Sequence, residues 1–207
     1  QQAPVTPKKK HEVIDVDDNS WATQAAQAKA VPRKRISVYS VGEKPMRENQ
    51  SDRQNMLDAI KQTYHIPHIN ALVKVLKIKR KGCAAAYHPG EHWKNLEAVS
   101  QDAHFLSTIP QLCNDIDEWF YGWPDRDPFV VCFMCKEGRH RSVSASRLWC
   151  EILRRHDFEV QGPEHLCWWN WWGCQGAGCA DCDEEATGKK EMFDEFVRGL
   201  DTTWDCP

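Results

Sequence analysis

Seven apolar residues in succession, Phe129-Val-Val-Cys-Phe-Met-Cys135, run straight into the polar stretch Lys136-Glu-Gly-Arg-His-Arg-Ser142. An unbroken apolar run of this length has two faces to bury, the pattern of an interior strand in a parallel sheet. Beyond the polar stretch, Val143, Leu148 and Ile152 fall at helical spacing, which predicts a helix from about Arg141 to Arg155. A buried strand that turns through a short polar loop into a helix is the repeating unit of α/β folds.

The flanking sequence fits that class. Arg35-Ile-Ser-Val-Tyr-Ser-Val41 is β-branched and alternating, and reads as a first strand that ends at Gly42. Met56, Leu57 and Ile60 predict a short helix within Asp52 to Thr63, and Leu72 to Lys79 reads as a second strand. From Phe105 to Phe120 the residues Leu106, Ile109, Leu112, Cys113, Ile116 and Trp119 keep a spacing of three or four, with acidic residues between them, as in an amphipathic helix. Phe158-Glu-Val160 reads as a last short strand. The expected order is broadly β, β, α, β, α, β: an α/β domain over residues 35–166, with a small mixed or parallel sheet and flanking helices. A disordered leader over 1–34 and a cysteine- and tryptophan-rich tail over 167–207 complete the chain.

Charge separates these parts. Residues 1–35 carry seven Lys or Arg against four Asp or Glu, whereas residues 157–207 carry three against twelve. The net charge of −3 therefore makes no bulk case for a nucleic-acid partner. The longest apolar run is far short of the roughly 20 residues that cross a bilayer, and no signal-peptide pattern opens the sequence. The expectation is an intracellular protein, cytoplasmic or nuclear, with no membrane association. In the leader, Pro7-Lys-Lys-Lys10 has the composition of a nuclear-import patch. Val13-Ile-Asp-Val-Asp-Asp18 resembles a SUMO-interacting motif, an apolar strand with acidic flanks that adds to a partner's sheet edge. A solvated tail is the simpler reading of both.

The loop after the central strand has the chemistry of an oxyanion site. Successive N–H groups of a loop entering a helix converge on an anion, and the helix start adds further unsatisfied donors. Gly138 permits the turn, Lys136 and Arg139 add charge, Arg141 presents a planar fork to two phosphate oxygens, and Ser142 is placed to cap the helix. The expected ligand-binding set is Cys135, Lys136, Gly138, Arg139, His140, Arg141 and Ser142. The spacing C-x-x-G-x-x-R-S is also the core of the cysteine-phosphatase signature, in which a thiolate attacks phosphorus. Under that alternative Cys135 is the nucleophile, Arg141 binds the equatorial oxygens and Asp102, 33 positions earlier, is the general acid, a separation resembling dual-specificity phosphatases. Trp123-Pro-Asp125 spells the acid loop of classical tyrosine phosphatases. It leads directly into the strand, however, and six extended residues span roughly 20 Å, which puts Asp125 at the wrong end of the sheet. Position 134 is Met, where phosphatases carry His.

Gly138-Arg-His-Arg-Ser-Val143 resembles the loop of the C-terminal domain of RapZ-like proteins, of the form C-x-G-G-x-H-R-S-V. His140, Arg141, Ser142 and Val143 stand in matching places, with Glu137 at the first glycine. The resemblance covers approximately residues 35–166. It implies a regulatory module that binds a phosphorylated amino sugar and acts as an RNA-binding adaptor, and therefore a phosphate-bearing small molecule or an RNA phosphate as partner. That family's kinase-like partner domain has no counterpart here: no G-x-x-x-x-G-K-[ST] occurs, so no ATP site is expected.

In the tail, Cys167, Cys174, Cys179 and Cys182 place four thiols in sixteen residues, and Cys179-x2-Cys182 has the spacing of a tetrahedral zinc knuckle. Zinc bound by these four would stabilise a segment with too little aliphatic material for a core of its own, with His165 as a spare ligand. Reduced thiols without metal are the alternative. Trp168, Trp169, Trp171 and Trp172 are expected to pack on the preceding domain, and His88, His92 and His104 read as ordinary loop or surface residues.

Overall fold

A computed structural model describes residues 33–44, 53–76, 87–123, 125–174, 176, 179–182 and 188–204. The leader motifs at 7–10 and 13–18 lie outside these residues. Four strands form one wholly parallel sheet: β1 (Arg35–Gly42), β2 (Ala71–Lys74), β3 (Phe129–Cys135) and β4 (Glu159–His165), in the order β2-β3-β1-β4. Five helices accompany it: α1 (Arg53–Tyr64), α2 (Trp93–Ser100), α3 (Ala103–Phe120), α4 (Arg141–Arg155) and α5 (Lys190–Asp201). Among the described residues, no helix is long and apolar enough to cross a membrane.

All seven residues of β3 are buried, which accounts for their unbroken apolar character. The two-residue period of the strand sends Phe129, Val131 and Phe133 to one face, where they join Ile36 and Val38 of β1 and the apolar sides of α2 to α5. Val130, Cys132 and Met134 point to the other face and meet Ile60 of α1, Ile66 and Leu166. Helix α5, which the sequence reading left within the tail, contributes Phe193, Val197 and Leu200 to the larger core. The end of the chain is therefore built into the same core as the sheet. The second strand is shorter than expected, four residues against eight, and residues 77–80 lie outside the described set.

Strand order and helix placement together single out one edge. β1 and β3 are neighbours, yet the chain leaving β1 proceeds to α1 on one face, while the chain leaving β3 proceeds to α4 on the other. Loops that part in this way open a crevice at the carboxyl ends of the strands, where ligands of open α/β sheets bind. Residues 136–140 line this edge. Asp125 lies before β3, on a turn at the opposite end, as its position in the sequence requires.

Candidate anion loop and metal centre

The turn from β3 into α4 rests on close backbone approaches. Gly138 has φ +67°, and a Cβ there would stand 2.5 Å from the Gly42 nitrogen. The chain beyond β1 lies along the loop, with Glu43 N–H donating to Cys135 O and Lys44 N–H to Lys136 O, both at 3.0 Å. Lys44 also pairs with Glu137, neutralising the one acidic side chain in the loop. On the far side Gly90 N–H donates to Arg139 O at 2.8 Å, and Ser144 Oγ donates to Gly90 O at 2.6 Å.

The site residues divide by direction. His140, not Ser142, holds the N-cap position of α4, and no side chain caps that helix. Ser142 is buried inside the first turn, with its Oγ 3.2 Å from the Cys135 sulfur. Arg141 donates from Nη1 to Val75 O at 2.8 Å, at the carboxyl end of β2. Lys136 is exposed. Arg139, expected to bind the anion, is 1% exposed and engaged elsewhere: its Nη2 donates to Tyr87 O and its guanidinium lies 4.1 Å from the centre of the Trp172 ring. Arg139 Nε and Nη1 are buried with no hydrogen-bond partner among the described residues. Asp102 begins α3 and uses Oδ1 to accept the Phe105 N–H at 3.0 Å, so it serves as a helix cap.

The cysteine cluster forms with one member changed. The side chains of His88, Cys174, Cys179 and Cys182 bring one nitrogen and three sulfur atoms within 4.8 Å of one another. Cys167 is elsewhere: its buried sulfur accepts the Gly42 N–H at 3.3 Å, lies 3.4 Å from the Tyr64 hydroxyl, and packs beneath the anion loop. Burial raises its thiol above the ordinary value, although Tyr64 and the Gly42 N–H work the other way. His165 does not join either, since its Nδ1 is 2.8 Å from Ser40 Oγ and its Nε2 3.6 Å from Glu91. The sequence carried no spacing signal for His88, which lies 94 positions from Cys182.

The cluster has the dimensions of a tetrahedral centre. Zinc at about 2.3 Å from sulfur and about 2.0 Å from imidazole nitrogen gives tetrahedral edges of roughly 3.8 Å between sulfurs and 3.5 Å from sulfur to nitrogen. The measured separations are 3.6 Å for Cys174–Cys182, 3.4 Å for Cys182 to His88 Nδ1 and 3.7 Å for Cys179 to His88 Nδ1. Gly176 N–H donates to the Cys174 sulfur at 3.3 Å, the arrangement by which a knuckle turn steadies a thiolate. At Cys179, burial opposes ionisation but is outweighed by Cys174 and by the N–H groups of Asp181 and Cys182, so the thiol lies below its usual value. Burial and then Cys174 push the Cys182 thiol up. Asp181 stands 3.8 Å from His88 Nε2, on the side away from the sulfurs, where a carboxylate orients a ligand imidazole.

The tryptophans are split. Trp171 is buried and donates from Nε1 to Gly138 O at 3.1 Å, whereas Trp168, Trp169 and Trp172 are 58%, 59% and 62% exposed. Only the first of these arrangements meets the expectation of packing. Comparisons with known protein families, curated proteins and solved structures return no match.

Proposed function

We propose that this chain is a non-catalytic, zinc-stabilised binding module that receives a phosphate-bearing ligand, a phosphorylated sugar or an RNA phosphate, at residues 135–142, in a regulatory role. The observation that carries the reading is the position of this loop at the divergence of β1 and β3, entering a fifteen-residue helix whose N-terminus has no side-chain cap. A helix start supplies unsatisfied N–H groups and positive partial charge to an anion. Lys136 is exposed beside it, and among the described residues one donor of the Arg141 fork is engaged, on Val75 O. The resemblance of His140-Arg-Ser-Val143 to the RapZ C-terminal loop supports the same reading. The donor set of three thiols and an imidazole suits zinc among the common biological metals.

A second reading has one observation in its favour: the 3.2 Å contact of Ser142 Oγ with the Cys135 sulfur is the kind of hydrogen bond that supports a thiolate nucleophile. Asp102, engaged as a helix cap, weighs towards binding. Calorimetry with inorganic phosphate and a phosphorylated amino sugar tests the choice. Losing a charged hydrogen-bond donor removes about 1.5–3 kcal/mol, so Arg141→Ala is expected to weaken binding about 10- to 100-fold. Unchanged affinity would remove the site assignment, and aryl-phosphate turnover that disappears in Cys135→Ser would replace binding by catalysis.

A further inference from the structure

The metal centre and the anion loop are not separate features. The centre draws ligands from two parts of the chain, residues 87–92 with His88 and residues 171–174, 176 and 179–182 with the three cysteines. Each stretch is fastened to the loop. From the first, Tyr87 O accepts Arg139 Nη2, Gly90 N–H donates to Arg139 O at 2.8 Å, and Gly90 O accepts Ser144 Oγ at 2.6 Å. From the second, Trp171 Nε1 donates to Gly138 O at 3.1 Å, while Trp172 stacks on the Arg139 guanidinium. The two stretches also meet directly, with Cys174 N–H donating to Tyr87 O at 3.3 Å and Tyr87 edge-on to Trp172.

Charge points the same way. A divalent ion with three thiolates and a neutral imidazole carries a net charge of −1. Arg139 is a buried cation with two N–H-bearing nitrogens unpartnered among the described residues. Burial works against that charge and holds the guanidinium below its usual value, while the Cys174 sulfur and Tyr87 act the other way. A buried charge is retained at low cost only where an opposite charge offsets it.

We infer that zinc held by His88, Cys174, Cys179 and Cys182 is the element that sets the conformation of the anion loop: it draws residues 87–90 and 171–174 together around Arg139 and Gly138, so that metal occupancy controls affinity for the phosphate-bearing ligand. This rests on the loop being an anion site, as proposed above. Of the loop residues, Arg139 is a positioning residue that touches the metal-bearing stretches and not the anion. Because coupling between two binding equilibria is reciprocal, phosphate also raises the equilibrium affinity for zinc.

The test uses the full chain, loaded with zinc, stripped by a chelator and reloaded. Hydrogen exchange is followed in peptides covering residues 136–142, with β3 as an internal reference, and inorganic phosphate is titrated into each form. Stripping is expected to speed exchange in the loop at least tenfold, leave β3 protected, and weaken phosphate binding about tenfold, all reversed by reloading. Should stripping unfold the chain, Trp171→Phe keeps all four metal ligands and removes the link to Gly138. It is expected to retain zinc, measured by elemental analysis, while the loop exchanges faster. Loop exchange that is indifferent both to stripping and to Trp171→Phe overturns the inference. Loop exchange that follows zinc in a chain binding no phosphate in either form overturns the anion-site reading and, with it, control of affinity, leaving only the link between metal and loop.

Discussion

Gly90 illustrates how much of this site is decided at single positions. A Cβ on Gly90 would stand 2.1 Å from His140 O and 2.6 Å from Ser144 N, inside the backbone that forms the start of α4. Backbone cannot yield as a flexible side chain can, so Gly90→Ala is expected to cost about 1–3 kcal/mol in urea denaturation and to weaken phosphate binding by displacing the loop. Gly199→Ala is the matched control. It lies within α5 with open space around its missing Cβ, and it is expected to gain up to about 1 kcal/mol from helix propensity. At this scale the sequence was a partial guide. Gly138, with its positive φ, follows from the turn between strand and helix, whereas Ser142, expected to cap the helix, turns instead to Cys135. The exchange of Cys167 for His88 does not follow from spacing, because a tetrahedral centre selects donors by position in space. Cys167 is nearer in sequence to the other cysteines, but its sulfur is held by Gly42 and Tyr64 beneath the loop.

Among elements, β3 and α4 were the most legible, since each carries its burial in its own sequence: an unbroken apolar run for a strand covered on both faces, and a helical apolar stripe for α4. Helix α3 starts two residues before the first apolar position that marked it, because Asp102 caps it from outside the pattern. Helix α5 was missed although Phe193, Phe196, Val197 and Leu200 stand at helical spacing, with the acidic and glycine residues around them masking a stripe that the core requires. The load on β3 has a measurable expression. Phe133 is fully buried and packs edge-on against Phe105 of α3. Phe133→Ala is expected to lower stability by about 3–5 kcal/mol in equilibrium unfolding, with Leu76→Ala, 48% exposed, within about 0.5 kcal/mol of the parent.

For the molecule as a whole, a metal that ties residue 88 to residue 182 acts as a long cross-link. A ligand present at about 100 times its dissociation constant stabilises the folded state by about 2.7 kcal/mol. For a chain of this size, about 1 kcal/mol moves the melting temperature by about 2–4 °C. Chelation is therefore expected to lower Tm by about 5–10 °C in calorimetry, with recovery on adding zinc, and an unchanged Tm would exclude a stabilising metal. A mixed or parallel sheet with flanking helices, and a loop at the carboxyl end of β3, were implied by the alternation of strand and helix signals; the strand order that sets β1 beside β3 was not. The union of the tail with the core was not, because it depends on α5 and on contacts spanning most of the chain.

The distance between His88 and Cys182 also bears on how the protein comes into being. Synthesis proceeds from the N-terminus, so the ribosome delivers the first ligand and the whole anion loop long before the last two thiols. Until Trp171 and Trp172 emerge, Gly138 and Arg139 lack the contacts those two residues supply. A nascent chain halted in that interval would carry the four-stranded sheet and His88 but not the full set of candidate metal ligands.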